Sequence, residues 1–265
     1  MEEMMERCKN YLIKTQKEDG SWGSGDPFAC ARILYALKET EAPEEILEKG
    51  IAYIESCQDK SGRFAGKTIM YTDAANTAYS LFVLNKFDYS KASSIVNRSL
   101  IWLLENQNED GSWSGRNRTK NAYTTSVCLR ALFTFYLTVL GKYTKALSYT
   151  LNYLDETDFK AEHVSHVYAP VLNLKRIESL PDDLQIKFIE YAGEALPKAM
   201  DSGEIADVAY LLGTLKALGE ERYTSQCMEW LKSKQSRGDG FARSVKESCE
   251  PNWTALVVLA VINKL

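Results

Sequence analysis

Four short stretches place polar groups at the starts of apolar runs. They are "GDPF" with Asp26, "YTDAANTA" with Tyr71, Asp73 and Asn76, "KNAYTTS" with Tyr123 and Thr124, and "KESCEPNW" with Glu250, Asn252 and Trp253. The carboxyls of Asp26, Asp73 and Glu250 suit acid–base chemistry, because two neighbouring carboxyls raise one pKa and keep that group protonated. Helix capping competes with this reading. Asp26 and Glu250 each precede a proline at a helix start, which makes a cap or first-turn acid the leading explanation. Asp73 stands where a cap would stand too. Tyr79, Tyr123, Tyr168 and Trp253 offer ring faces that stabilise a cation, although aromatics at helical spacing also serve as plain core. His163 and His166 in "HVSHVYAP" lie three apart on one helix face, an arrangement for a metal or proton relay or for two satisfied histidines. "RNRTKN" (116–121) is a basic loop, either an anion contact or simply solvated.

These groups need elements to gather them. "QKEDGSW" begins at Gln16, "QDKSGRF" at Gln58, "QNEDGSW" at Gln107 and a weaker "QSRGDGF" at Gln235. Periods of about 43 residues leave room for two degenerate copies, near 150 and near 193, and self-similarity at this period marks an array or toroid. Before each Gln runs an amphipathic helix pattern, as in "ERCKNYLIKTQ" and "NRSLIWLLENQ". After each turn comes a more uniformly apolar helix: "FACARILYALKE", "AANTAYSLFVLNKF", "TTSVCLRALFTFYL", "VSHVYAPVLNLKRI", "EIADVAYLLGTLKAL" and "NWTALVVLAVINKL". A helix apolar on most faces is buried on most faces. The pattern predicts an all-α, single-domain (α/α)6 barrel over residues 1–265, with the apolar helices inside. Gly20, Gly62 and Gly111 are expected at positive φ. The aromatic two residues on packs under the turn, and each Gln bonds exposed backbone at a helix end. Pro170 is expected to kink its helix or to bound it.

The formal charge of −4 and the lack of a basic block exclude a nucleic-acid partner from the expectation. Six cysteines without a CxxC pair read as reduced, mostly buried thiols in a cytoplasmic protein. "MEEMMERCKN" lacks the character of a signal peptide. Residues 123–140 have the length of a membrane span, but Arg130 within them points to a buried helix.

The Q-x-x-x-G-x-W repeats joined to paired helices resemble the QW repeats of squalene–hopene cyclases, oxidosqualene cyclases and plant class II diterpene cyclases. Protein prenyltransferase β subunits share that toroid. The resemblance implies a class II terpene cyclase-like protein acting on a linear isoprenoid or its diphosphate in a central apolar cavity, by acid-initiated cyclisation or isomerisation. The cyclase signature D-x-D-D-T-A aligns with "DAANTA" at Asp73–Ala78, placing Ala75 on the proton-donating Asp and Asn76 on the last Asp. The usual acid is therefore missing, and Asp73 paired with Asp26 or Glu250 is the candidate replacement. Tyr71, Asn76, Tyr79, Tyr123, Tyr168 and Trp253 are the candidate substrate-binding residues. Prenyltransferases hold zinc with a D-x-C element and a distant His. Here "ESC" (Glu247–Cys249) has no His after it, so neither a metal nor any other cofactor is expected. The alternative reading is a non-catalytic barrel that binds a lipid or a protein helix, or a subunit awaiting a partner, with peripheral membrane contact left open.

Overall fold

In a computed structural model of the chain the described residues are 1–66, 68, 71–114, 121–138, 141–159 and 164–265. The loop at 116–120 and His163 lie outside them. Among the described residues the regular elements are helices: α1 (Glu2–Lys14), α2 (Pro27–Glu39), α3 (Glu44–Ser56), α4 (Asp73–Lys86), α5 (Ser94–Glu105), α6 (Ala122–Thr134), α7 (Gly141–Thr157), α8 (Ser165–Arg176), α9 (Asp182–Ser202), α10 (Ile205–Ala217), α11 (Thr224–Lys234) and α12 (Pro251–Val261).

The even-numbered helices form the inner wall. Each packs on the next, and α12 packs on α2, which closes the ring. Their sequence explains the position: every residue of α12 is buried, as is every residue of α10 from Ile205 to Leu215 except Asp207. The odd-numbered helices bury one stripe. In α1 that stripe is Met4, Cys8 and Leu12, and in α9 it is Leu184, Phe188, Ala192, Leu196 and Ala199. The apolar segment at 123–140 supplies α6, an inner helix, and among the described residues no helix is long and apolar enough to cross a membrane.

Glutamine clamps tie neighbouring outer helices together. Gln16 Nε2 donates to the Gly20 carbonyl at 3.3 Å and to Ile46 O on α3 at 2.9 Å. Gln58 repeats this with Gly62 and with Ile95 on α5, and Gln107 with Gly111 and with Lys142 on α7. Gln235 closes the circuit by reaching Asp239 O and, on α1, Met4 O at 3.2 Å. Trp22 and Trp113 are fully buried beneath their turns and donate Nε1 to Leu12 O and Leu103 O. In the fourth clamp the positive-φ position falls on Asp239 rather than glycine (φ 74), and Arg7 Nε holds its carboxylate at 2.7 Å.

The two degenerate copies differ from expectation. α7 and α9 run on to Thr157 and Ser202, beyond the turns expected near 150 and 193. In α9 the apolar stripe continues unbroken past Gly193, and the chain first turns left-handed at Gly203, φ 78. Pro170 sits inside α8 and does not end it.

The inner helices share a direction. Their starts meet at one mouth, where Thr68 before α4 bonds Asp26 at the start of α2 and Asn252 of α12 bonds Tyr71. Their ends meet at the other, where Lys216 and Arg176 donate to the carbonyls of Val261 and Asn263, and Lys264 pairs with Glu39.

Candidate functional site

The three carboxylates at the upper mouth have different surroundings. Asp26 is 1% exposed and caps α2. Its Oδ1 accepts the Phe28 amide at 3.3 Å, and its Oδ2 accepts the Thr68 amide at 3.3 Å and hydroxyl at 2.9 Å. Asp73 is not the cap of α4, because Thr72 takes that place by accepting from the Ala75 amide at 3.1 Å. Asp73 is instead the first helical residue. Its Oδ1 accepts from the Gly66 amide at 3.0 Å and its Oδ2 from Arg63 Nη1 at 3.0 Å. Glu250 occupies the cap position of α12, but its side chain is exposed and makes no cap bond. These bonds make Asp26 and Asp73 anchors for Thr68 and for Gly66 and Arg63. Ala75 is 1% exposed. Asn76, wholly buried, turns its Oδ1 to the Phe28 amide at 3.0 Å.

Aromatic rings fill the ring of helices below the mouth. Tyr71 stacks on Phe28 with centroids 4.1 Å apart, and Tyr79 lies 4.3 Å from Phe28 on another side. Tyr123 meets the edge of Tyr168, which stacks on Tyr210 at 3.9 Å. Burial pushes the Tyr71 hydroxyl up to about 12 and raises Tyr79, Tyr123 and Tyr168, so all four are neutral at physiological pH. Trp253 is buried in α12 but does not line the central space.

That central space is narrower than the sequence implied. The cavity measures about 40 Å³, room for about three waters at roughly 10–15 Å³ each. Nor is its wall purely apolar. Arg32 of α2 and Arg130 of α6 both line it, with Phe28, Tyr79, Tyr123, Tyr168 and Tyr210 among their neighbours. Arg32 is 2% exposed, and its Nη1 donates to Asn252 Oδ1 at 3.3 Å. Its guanidinium carbon lies 4.9 Å from the Phe28 ring centre and 5.6 Å from that of Tyr210. Arg130 lies 4.1 Å over the Phe82 ring and donates to Asn173 Oδ1 at 3.4 Å.

Sequence reasoning used Arg130 only as a sign of a buried helix and gave neither arginine nor Tyr210 a place in the cavity wall. The signal was present: each arginine interrupts an otherwise apolar inner helix, "CARIL" and "CLRAL", where a charge is costly.

Among the described residues no cluster of three His, Cys, Asp or Glu side chains could hold a metal ion. A wider groove of about 650 Å³ lies outside the ring, between Glu109–Asp110 and α7, lined by Lys145, Tyr149, Tyr153 and Glu156.

Two family models match the chain: the squalene–hopene cyclase C-terminal domain over residues 68–159, and the prenyltransferase alpha-alpha toroid domain over residues 180–265. Over these two segments the chain is similar to squalene–hopene cyclase-like and prenyltransferase-like α/α toroids. It is similar to the squalene–hopene cyclase of Zymomonas mobilis, 29% identical over 126 residues, with 41% of this chain and 19% of that protein covered. It also resembles the drimenyl diphosphate synthase of Streptomyces showdoensis, 23% identical over 125 residues, covering 43% of this chain and 24% of that one. The chain thus spans about a fifth to a quarter of the length of these relatives. The type II terpene cyclase MstE from Scytonema, solved with geranylgeranyl dihydroxybenzoate as substrate, superposes with a TM-score of 0.72 at 11% identity. The match covers 99% of this chain and 97% of that one. At this identity the likeness shows the fold: an α/α toroid like the one that type II terpene cyclase has.

Proposed function

We propose that residues 1–265 work as one barrel that binds a linear isoprenoid, or its diphosphate, without protonating it from the position the cyclases use. The observation that carries this reading is Ala75. Its side chain stands where the motif places the proton donor, and it has no proton to give. The flanking carboxylates are occupied by backbone amides, Thr68 and Arg63. The interior is rich in aromatic rings and, among the described residues, lined by no Asp or Glu side chain, which suits holding an alkene chain through ring faces. The fold relationship to cyclases supports the isoprenoid as ligand class. A C15 or longer chain needs more room than about 40 Å³, so binding swings out the rings that now fill the mouth, Tyr71 and Phe28 first. Tyr79, Tyr123 and Tyr168 then flank the chain, while Trp253 supports the wall from within α12.

A second reading keeps the acid-initiated reaction. It is favoured by one observation: Asp26 bonds Thr68 and Asp73 bonds Gly66, so two carboxylates attend one mouth. In that reading Asp73, with Asp26 or Glu250, donates the proton, and Tyr71 and Asn76 line the approach.

One experiment separates the two. The protein is incubated with farnesyl diphosphate, geranylgeranyl diphosphate and squalene, binding is measured by calorimetry, and extracts are analysed for cyclised products. The binding reading expects saturable uptake of at least one of them, no new product, and no loss in Asp73→Asn. A cyclised product that disappears in Asp73→Asn establishes the second reading. Failure of all three to bind removes the isoprenoid altogether.

A further inference from the structure

The centre of the ring holds two arginines and, among the described residues, no Asp or Glu side chain beside them. Arg32 and Arg130 line one cavity of about 40 Å³. Among the described residues neither arginine takes part in an ion pair, and Arg32 Nε, fully buried, meets no acceptor. Arginine stays protonated in proteins, and removing such an ion from water costs several kcal/mol. Burial is felt at Arg130, whose pKa is pushed down to about 10. The aromatic faces around Arg32 return part of that cost. Asn252 supplies one neutral acceptor at 3.3 Å. A buried guanidinium with an unused donor, lining a cavity together with a second arginine, is the arrangement of a site whose negative partner is a ligand.

We infer that this cavity receives an anionic group of carboxylate or phosphate size, gripped by Arg32 through its fork, faced by Arg130, and bounded by the lining Tyr168 and Tyr210. The volume fits such a group: about three water equivalents for three or four oxygen atoms. For its tail the inference rests on the isoprenoid reading above, and it puts the head group inside the ring instead of at the mouth. The two arginines carry the anion site independently of any tail. Inorganic phosphate and the head of an isoprenoid diphosphate share the chemistry, so the test separates them.

The test uses thermal melting and calorimetry on wild type, Arg32→Met, Arg32→Lys and Arg130→Met, with inorganic phosphate, farnesyl diphosphate and farnesol as probes. Methionine has a comparable volume and no charge, so Arg32→Met is expected to melt at or above the unliganded wild type. Farnesyl diphosphate is expected to raise the wild-type midpoint by several degrees, and to bind Arg32→Met at least tenfold more weakly. Arg32→Lys and Arg130→Met should show intermediate losses, since lysine keeps a charge without the fork. If inorganic phosphate alone stabilises the wild type through Arg32, the anion site stands and the isoprenoid tail falls. If farnesol binds as tightly as farnesyl diphosphate, and both bind Arg32→Met unchanged, the isoprenoid reading stands and the anion site falls. Arg32→Met melting far below wild type, with no anion shifting the wild type or Arg130→Met, would make Arg32 a structural cation held by its rings and overturn the inference.

Discussion

Asn76 on α4 accepts the backbone amide of Phe28 on α2 at 3.0 Å, sharing that amide with Asp26 at 3.3 Å. A residue aligned with a motif carboxylate thus holds the start of the neighbouring inner helix. Asn76→Ala should destabilise the barrel by about 1–2 kcal/mol, since the buried amide keeps only its longer acceptor. Asn76→Asp keeps the acceptor but sets two carboxyls on one amide, so one of them holds its proton in the fold above its unfolded pKa. The unfolded chain then binds fewer protons than the folded one as pH rises. Asp at 76 should therefore be mild near pH 4 and progressively destabilising towards pH 8, while Ala at 76 gives a flat difference. Urea melts of the three proteins at several pH values check both signs.

The clamps predict a contrast between two glycines. Gly62 has φ 96, and a Cβ there would stand 2.5 Å from the Arg98 carbonyl oxygen on α5. Gly23 also has positive φ, 52, but a Cβ there meets nothing within 4 Å. Gly23→Ala should cost about 1 kcal/mol for the left-handed backbone alone. Gly62→Ala adds a clash with backbone that cannot move without shifting α5, and should cost at least 2–3 kcal/mol, roughly the range of overpacking. Equal losses in denaturant midpoint would mean that the close approach of α5 to the turn is not what fixes the glycine.

The ring was readable because its signals are local. The six apolar segments begin within two residues of the inner helices, and the Gln-Gly-aromatic spacing marks four of the turns. The mouth was less readable. Asp26 and Glu250 both precede proline, yet one is buried and bonded and the other exposed, because Thr68, forty-two positions away, comes to Asp26. The interior was least readable. Apolar pattern implies an empty greasy space, but how far Phe28, Tyr79 and Tyr210 reach across the axis, and that Arg32 lies between them, depends on which face each helix turns inward.

Burial of phenols and thiols makes the barrel sensitive to alkali. Tyr71 rises from 10.0 to about 12 and Cys8 from 9.0 to about 12, each chiefly through burial. Above those ordinary values the unfolded chain releases protons that the fold retains, so stability is level below pH 9 and falls above it. Each retained proton adds a slope of about 1.4 kcal/mol per pH unit. The decline should begin near pH 9 and steepen above pH 10 as Tyr79, Tyr123 and Tyr168 join. Tyr71→Phe removes one phenol from the balance, so its stability should decline less steeply between pH 10 and 12 in denaturant melts. An identical slope would place Tyr71 in contact with solvent.

Gln235 joins the end of the circuit to its beginning, through Met4 O on α1 and Asp239 O in its own turn. The other clamps link helices close in sequence, whereas this one spans 231 positions, so it closes the outer layer. Gln235→Ala leaves both carbonyls to water and should cost about 1–2 kcal/mol. The loss should concentrate in α1, which this clamp holds together with the packing of Met4, Cys8 and Leu12, the Arg7–Asp239 pair and the Trp22 bond to Leu12 O. Amide exchange in α1 should therefore accelerate more than tenfold, with α5 unchanged, because local opening there no longer breaks the clamp. Arg7→Ala removes the half-exposed pair with Asp239 and should cost at most about 1 kcal/mol. Uniform acceleration across all helices in Gln235→Ala would show that α1 opens only with the whole ring.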